Sequence, residues 1–341
     1  MLPKERISNA LVGLPSDRIP VMLHNFMMAA REAGVSMHEF REDPAVMASV
    51  MIRSAEKYKF DGILVDLDTV TLAGALGVPV DFPAQEPARS TRGMLADLSE
   101  VHRLKPVDIS GYRYVKNWLE AVRLIKNQLG DSVYVRGNCD QAPFSLAGMV
   151  RGSAEWMMDL YLAHEEDKIA LLEYCTDATC QFIRLMAQTG CDMVSNGDSP
   201  AGPDLIPPEL YIQYALPYEK RVAEEAHKAG LPYTLHICGN TDLILESMLE
   251  TGADAFELDY KTDIQKIANT FTGRATLIGN IDPSGVLALG KIEEIRRKTK
   301  ELIEIMAPSN RFILNAGCAI PAETPEENLR AMLHEGGQRT L

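Results

Sequence analysis

The chain has 341 residues, room for one large α/β barrel of about 250 residues plus insertions. Hydrophobic residues make up 46% and charged residues 24%, so a full core is available and disorder is not the default. With 34 Lys plus Arg against 48 Asp plus Glu, the net charge of −14 speaks against nucleic acid and anionic membrane as partners.

The predicted elements run in chain order as strands alternating with helices. The opening MLPKERISNALVGLPSDRIP lacks the apolar stretch of a secretory signal, and no window approaches the roughly 18 apolar residues of a membrane helix. A cytoplasmic protein is therefore expected. The first strand is read at 19–24 (IPVMLH), then a helix at 44–58 begun by Pro44, then a strand at 62–66 (GILVD). A stretch at 78–112 shows no clear strand and reads as a rim insertion. A helix at 114–129 closes on Gly130 and leads to a strand at 133–137 (VYVRG). A helix at 167–188 closes on Gly190 before a strand at 192–196 (DMVSN). After a second insertion at 199–207 come a helix at 208–228, Gly230 and a strand at 233–238 (YTLHIC). Gly252 precedes a strand at 255–258 (AFEL), and Gly273 one at 276–279 (TLIG). A helix at 292–307 and a strand at 312–315 (FILN) complete the series. Glycine tolerates the left-handed backbone that ends a helix, so its recurrence before strands marks the helix ends. Eight βα units in one run predict a single-domain (β/α)8 TIM barrel spanning 1–341, rather than an open doubly wound sheet.

In such barrels chemistry sits where strands end. The second strand ends in Asp66 and Asp68, the third in Asn138, Cys139 and Asp140, and the fourth in Asn196 and Asp198. The fifth ends in His236, Cys238 and Asn240, the sixth in Asp259, the seventh in Asn280 and Asp282, and the eighth in Asn315 and Cys318. Turn chemistry explains Asn240, Asn280 and Asp282 as well as function does.

Six cysteines scattered through a long chain argue against a disulfide framework. Cys175, Cys180 and Cys191 read as small buried hydrophobes. His236 and Cys238 are two apart on a strand and so share a face. Cys318 follows the last strand and opens on the same mouth. One imidazole and two thiolates suit zinc, and three protein ligands leave a fourth position open. The competing reading is a hydrogen-bonded core histidine with two inert cysteines.

The stretch Leu235-His236-Ile237-Cys238-Gly239-Asn240-Thr241 resembles the zinc motif of corrinoid-dependent methyltransferases in the uroporphyrinogen decarboxylase superfamily. So do Ile313-Leu314-Asn315-Ala316-Gly317-Cys318-Ala319-Ile320-Pro321, the following Thr324-Pro325 and Glu327-Asn328, and Ile278-Gly279-Asn280-Ile281-Asp282-Pro283. The resemblance covers essentially the whole chain and implies the same TIM barrel, with His236, Cys238 and Cys318 as zinc ligands. It further implies a methyltransferase that moves a methyl group between a small substrate and the cobalt of cobalamin carried by a separate corrinoid protein.

Two departures matter. Uroporphyrinogen decarboxylases carry an M-R-Q-A-G-R segment after the first strand, where this chain has His24-Asn25-Phe26-Met27-Met28-Ala29-Ala30-Arg31. Methyltransferases acting on coenzyme M carry a Glu before an A-L-G triplet, where this chain has Val70-Thr71-Leu72-Ala73-Gly74-Ala75-Leu76-Gly77. The expected reaction is therefore zinc-dependent O-demethylation of a methyl ether. Methyl transfer to a thiol of the coenzyme M kind, a decarboxylase-like lyase and a non-catalytic zinc-stabilised partner are the alternatives. Asp198 and Asp68, with Asn196 beside them, are the candidate catalytic groups. Asp66, Asp68 and Asp198 are the carboxylates available as a fourth ligand. The donor, the acceptor and the direction of transfer stay open.

Overall fold

A computed structural model describes residues 1–337. All eight expected strands form, as β1 (Met22–Leu23), β2 (Gly62–Val65), β3 (Tyr134–Gln141), β4 (Met193–Gly197), β5 (Tyr233–Ile237), β6 (Ala255–Leu258), β7 (Thr276–Ile281) and β8 (Phe312–Ala316). They lie in chain order in one sheet, each parallel to the next. Val21 bridges Leu314 in parallel and closes the sheet on itself. The architecture is the (β/α)8 TIM barrel that the alternation predicted.

Boundaries differ for local reasons. The first strand is shorter than 19–24, because Pro20 has no N–H to give the ladder and serves only as acceptor for the Leu314 N–H, at 2.9 Å. The third runs on to Gln141, so Asn138, Cys139 and Asp140 stand inside it, across a register shift between Asn138 and Gln141. The helix expected at 208–228 is two helices, Pro208–Tyr214 and Leu216–Lys228. Pro217 lies in the first turn of the second, where its missing N–H costs nothing, whereas mid-helix it would remove a bond. The helices Pro44–Tyr58, Arg113–Leu129, Glu165–Ala187 and Ile292–Met306 fall within two residues of expectation. Gly130, Gly190, Gly230, Gly252 and Gly273 all take positive φ. The 78–112 insertion holds a small antiparallel ladder, Val80–Asp81 with Arg89–Ser90, and a 3-10 turn at Leu98–Arg103.

The barrel has a plugged bottom and an open top. Ile7, Ala10 and Leu11 of an N-terminal helix, Pro3–Val12, pack with Met22, Leu64, Tyr134, Met193, Ala255, Ile278 and Ile313 from the strands. These side chains fill the interior towards the strand starts. Only the C-terminal ends of the strands remain available for a site. Among the described residues no helix is long and apolar enough to cross a membrane.

Candidate metal centre

His236 lies near the end of β5 and is the register partner of Glu257 on β6. The Glu257 main-chain carbonyl accepts from His236 Nδ1–H at 2.9 Å, which turns Nε2 towards the mouth. There Nε2 lies 2.9 Å from Cys238 Sγ, and Cys238 Sγ lies 3.3 Å from Cys318 Sγ. The three donor atoms all fall within 4.8 Å of one another.

The loops on either side fix the thiols. Cys238 donates its N–H to Ser199 Oγ at 3.1 Å, and the chain then turns through Gly239 at φ +88°. The Gly239 N–H is received by Asp259 at 2.9 Å. Before Cys318, Gly317 packs so closely that an added Cβ would meet the Tyr260 backbone nitrogen at 2.9 Å. A hydrogen bond from Cys318 lowers the Cys238 thiol, against the effect of burial. Cys318, hydrogen-bonded to Cys238 and buried, is pushed up to about 12. Two adjacent sulfurs, an imidazole whose outer nitrogen is already bonded, and half-buried access fit a soft divalent cation. Among the described residues the cluster holds three donors, and neither Asp66, Asp68 nor Asp198 joins it.

Below the cluster is a cavity of about 240 Å³, with Leu64 of the barrel plug at its floor. Its wall carries a charged network of which the sequence reading names Asp66 and Asn138 but not His24, Arg136 or Glu257. His24 bonds Asp66 through Nε2 at 2.6 Å and Glu257 through Nδ1 at 3.0 Å. Burial works against its charge, yet the two carboxylates outweigh that and raise the imidazole to about 10. Arg136 reaches the other Glu257 oxygen at 2.5 Å, and Asn138 donates to Asp66 at 2.8 Å. Burial opposes ionisation of Glu257, but Arg136 and His24 hold its carboxyl far below the usual range. His24, Arg136 and Glu257 each interrupt a short apolar strand run. A charge there survives only if paired, and that was the available signal.

The three sequence-derived catalytic candidates separate. Asn196 lines the cavity and donates through Nδ2 to the Cys139 carbonyl at 2.6 Å. Asp68 also lines it, but its carboxylate accepts from the N–H groups of Val70 and Thr71 at 2.9 and 2.8 Å and so is tied to the backbone leading into the helix Thr71–Leu76. Burial raises Asp68 to about 6 despite those bonds. Asp198 corrects the expectation of a group overlooking the metal. It is fully buried and is not among the residues lining the cavity. It accepts from Ser145 N–H and Oγ at 2.7 and 2.5 Å and hydrogen-bonds Glu219 on the helix Leu216–Lys228. Asn196 precedes it by two but is held by strand carbonyls, whereas Asp198 lies just past β4, where the chain leaves the strand.

A family profile described as uroporphyrinogen decarboxylase (URO-D) matches residues 2–336. The methylcobamide:CoM methyltransferase MtbA of Methanosarcina acetivorans is 29% identical over 97% of this chain and 96% of its own. The uroporphyrinogen decarboxylase of Methylococcus capsulatus is also 29% identical, over 95% of this chain and 94% of its own. A solved methyltransferase from Methanosarcina mazei shares the fold with a TM-score of 0.89 at 23% identity, over 99% of this chain and 98% of that one.

Proposed function

From a chain that belongs to the uroporphyrinogen decarboxylase family, we propose a zinc-dependent methyltransferase that exchanges a methyl group between a small substrate and the cobalt of a corrinoid protein. The observation that carries this reading is the convergence of His236 Nε2 and the sulfurs of Cys238 and Cys318 above a small cavity at the barrel mouth. Relatives named methylcobamide:CoM methyltransferases, at 29% and 24% identity over 97% of this chain, support the corrinoid chemistry. The His24–Arg31 segment, which lacks the M-R-Q-A-G-R of uroporphyrinogen decarboxylases, argues against a decarboxylase.

Bound zinc would supply Lewis acidity to the substrate's oxygen or sulfur while its bond to the methyl carbon breaks or forms. The chain's own part is positional. The Glu257 carbonyl fixes the tautomer and plane of His236, and Ser199 and Asp259 anchor the loop that carries Cys238. His24, paired on both nitrogens, ties β1 to β2 and β6 beneath the cluster and holds Glu257 in place. Such preorganisation keeps a substrate methyl aligned with the open mouth, the one side from which a carrier's cobalt can approach. The cytoplasm is the compartment we assign, on the composition and cysteine usage above.

Within this reading we favour O-demethylation of a methyl ether. It is supported by the Val70–Gly77 segment, which lacks the Glu of the coenzyme M enzymes. Transfer to a thiol is the second reading, supported by the names of the relatives. Free cob(I)alamin with a panel of methyl ethers, and methylcobalamin with a panel of thiols, separate the two by the cobalamin absorbance. Methyl transfer in neither panel, nor with added corrinoid proteins, would overturn the proposal.

A further inference from the structure

Arg41, in the short helix Met37–Glu42, has a guanidinium with no exposed surface, and it does not line the cavity. Burying a charge is costly unless it is paired and bonded, so the contacts of Arg41 indicate what it is kept for. On one side Nη2 donates to the Glu86 carbonyl at 3.2 Å, and the guanidinium carbon lies 5.2 Å from the centre of the Phe82 ring. On the other side Nε lies 3.9 Å from Asp68 Oδ2. Nε and Nη1 have no hydrogen-bond partner among the described residues, so this cation is held for where it stands rather than for a full set of bonds.

Each contact leads to a different wall of the cavity. Phe82 and Glu86 belong to the loop that joins Val80–Asp81 to Arg89–Ser90 in the 78–112 insertion, and Pro87, beside Glu86, lines the cavity. Among the described residues the loop 82–88 takes two hydrogen bonds from outside the insertion, and both come from the helix Met37–Glu42. They run from His38 N–H to the Ala84 carbonyl, at 3.0 Å, and from Arg41 to the Glu86 carbonyl. Asp68 leads the other way. Its carboxylate holds the N–H groups of Val70 and Thr71, and so the turn that presents the exposed Thr69 to the same cavity. No hydrogen bond or ion pair joins the loop 82–88 directly to the turn 66–71 among the described residues, whereas Arg41 reaches both.

Resting on the methyl-transfer reading above, we propose that Arg41 is a positioning residue of this site: without touching substrate, it fixes the loop that presents Pro87 against the turn that presents Thr69, and so sets the width of the cavity between them. The His–Cys–Cys cluster stands on the ends of β5 and β8, away from both segments. Arg41 therefore governs how well a substrate is held, and the cluster keeps its geometry without it.

Backbone hydrogen exchange, read by mass spectrometry on the full chain, tests this with Arg41→Met, which keeps the length and loses the charge, and Arg41→Lys, which keeps the charge. Arg41→Met should exchange about tenfold faster at both 66–72 and 82–88, the scale of one lost hydrogen bond to a charged group, with the strands and the metal content as in the parent. Arg41→Lys should lie nearer the parent. With whichever probe pair turns over, Arg41→Met should raise KM about tenfold and change kcat less than about threefold. Where Arg41→Met does not fold, Phe82→Leu, which removes the ring beneath the guanidinium, should loosen 66–72 as well as 82–88. Unchanged exchange at either segment, equally faster exchange throughout the barrel, or a loss of kcat at constant KM would overturn the assignment. Both segments loosening as expected while no probe pair transfers methyl would instead count against the methyl-transfer reading and leave the role of Arg41 standing.

Discussion

Nδ1 of His236 and the main-chain carbonyl oxygen of Glu257 lie 2.9 Å apart across neighbouring strands of the barrel. The parallel register of β5 and β6 sets that distance, so the imidazole plane is fixed by the sheet rather than by a mobile loop. The same Glu257 extends its carboxylate the other way, to Arg136 and His24. One residue thus couples the His–Cys–Cys cluster to the cavity wall.

Purified protein should contain about one zinc per chain, the number three converging ligands can hold. The double variant Cys238→Ala with Cys318→Ala should lose that zinc while keeping its circular dichroism spectrum, because both thiols sit at the rim above the plug. Elemental analysis checks this, and full zinc retention in the double variant would sink the site.

Asp198→Asn should act on stability and hardly on turnover. The carboxylate is bonded to Ser145 and Glu219 and does not line the cavity. A drop in melting temperature with near-normal kcat and zinc content is expected. A hundredfold loss of kcat at unchanged stability, the scale of a lost acid–base group, would return Asp198 to the chemistry.

Arg136→Leu should be far more damaging than its single ion pair suggests. It would leave Glu257, fully buried, without its guanidinium. Removing one partner of a buried pair costs about 3–5 kcal/mol, which urea unfolding can measure. A loss below about 1 kcal/mol, the ordinary worth of an exposed pair, would mean that water reaches Glu257.

Glu219→Gln should change the pH dependence of stability. Burial, then the charge of Asp198, raises Glu219 well above its ordinary 4.5, and burial raises Asp198 from 3.8 to about 6. The native state therefore holds these protons more tightly than the unfolded chain does. Their contribution is complete below about pH 4 and is lost as pH rises through the folded values, from about 6 upwards. Gln keeps the shape, can donate to Asp198, and carries no proton to lose. The variant should melt higher than the parent at pH 8 and no higher at pH 4. Parallel melting curves across that range would count against the shared proton.

Much of this was legible in the residues alone. Apolar runs punctuated by glycine located all eight strands, and the spacing of His236 and Cys238 placed two candidate donors on one face. Cys318 joined them because both strands end at the same mouth. What escaped was pairing across strands. Arg136, Glu257 and His24 each read as one polar residue in an apolar segment, and only the barrel shows that each neutralises another. Asp198 failed for the complementary reason. A residue just after a strand can face the mouth or the helix layer, and one residue of phase decides which.

The closing bridge between Val21 and Leu314 has a consequence in time as well as in space. Cys318 lies 80 residues beyond Cys238, just past β8. The three-residue cluster cannot assemble in a nascent chain until β8 has docked on β1 and β7. An ion bound by all three residues would act as a clasp on a finished barrel and would resist the separation of β1 and β8. On the proposed reading closure would precede loading, and the zinc content of a preparation would report how many of its chains have completed the ring.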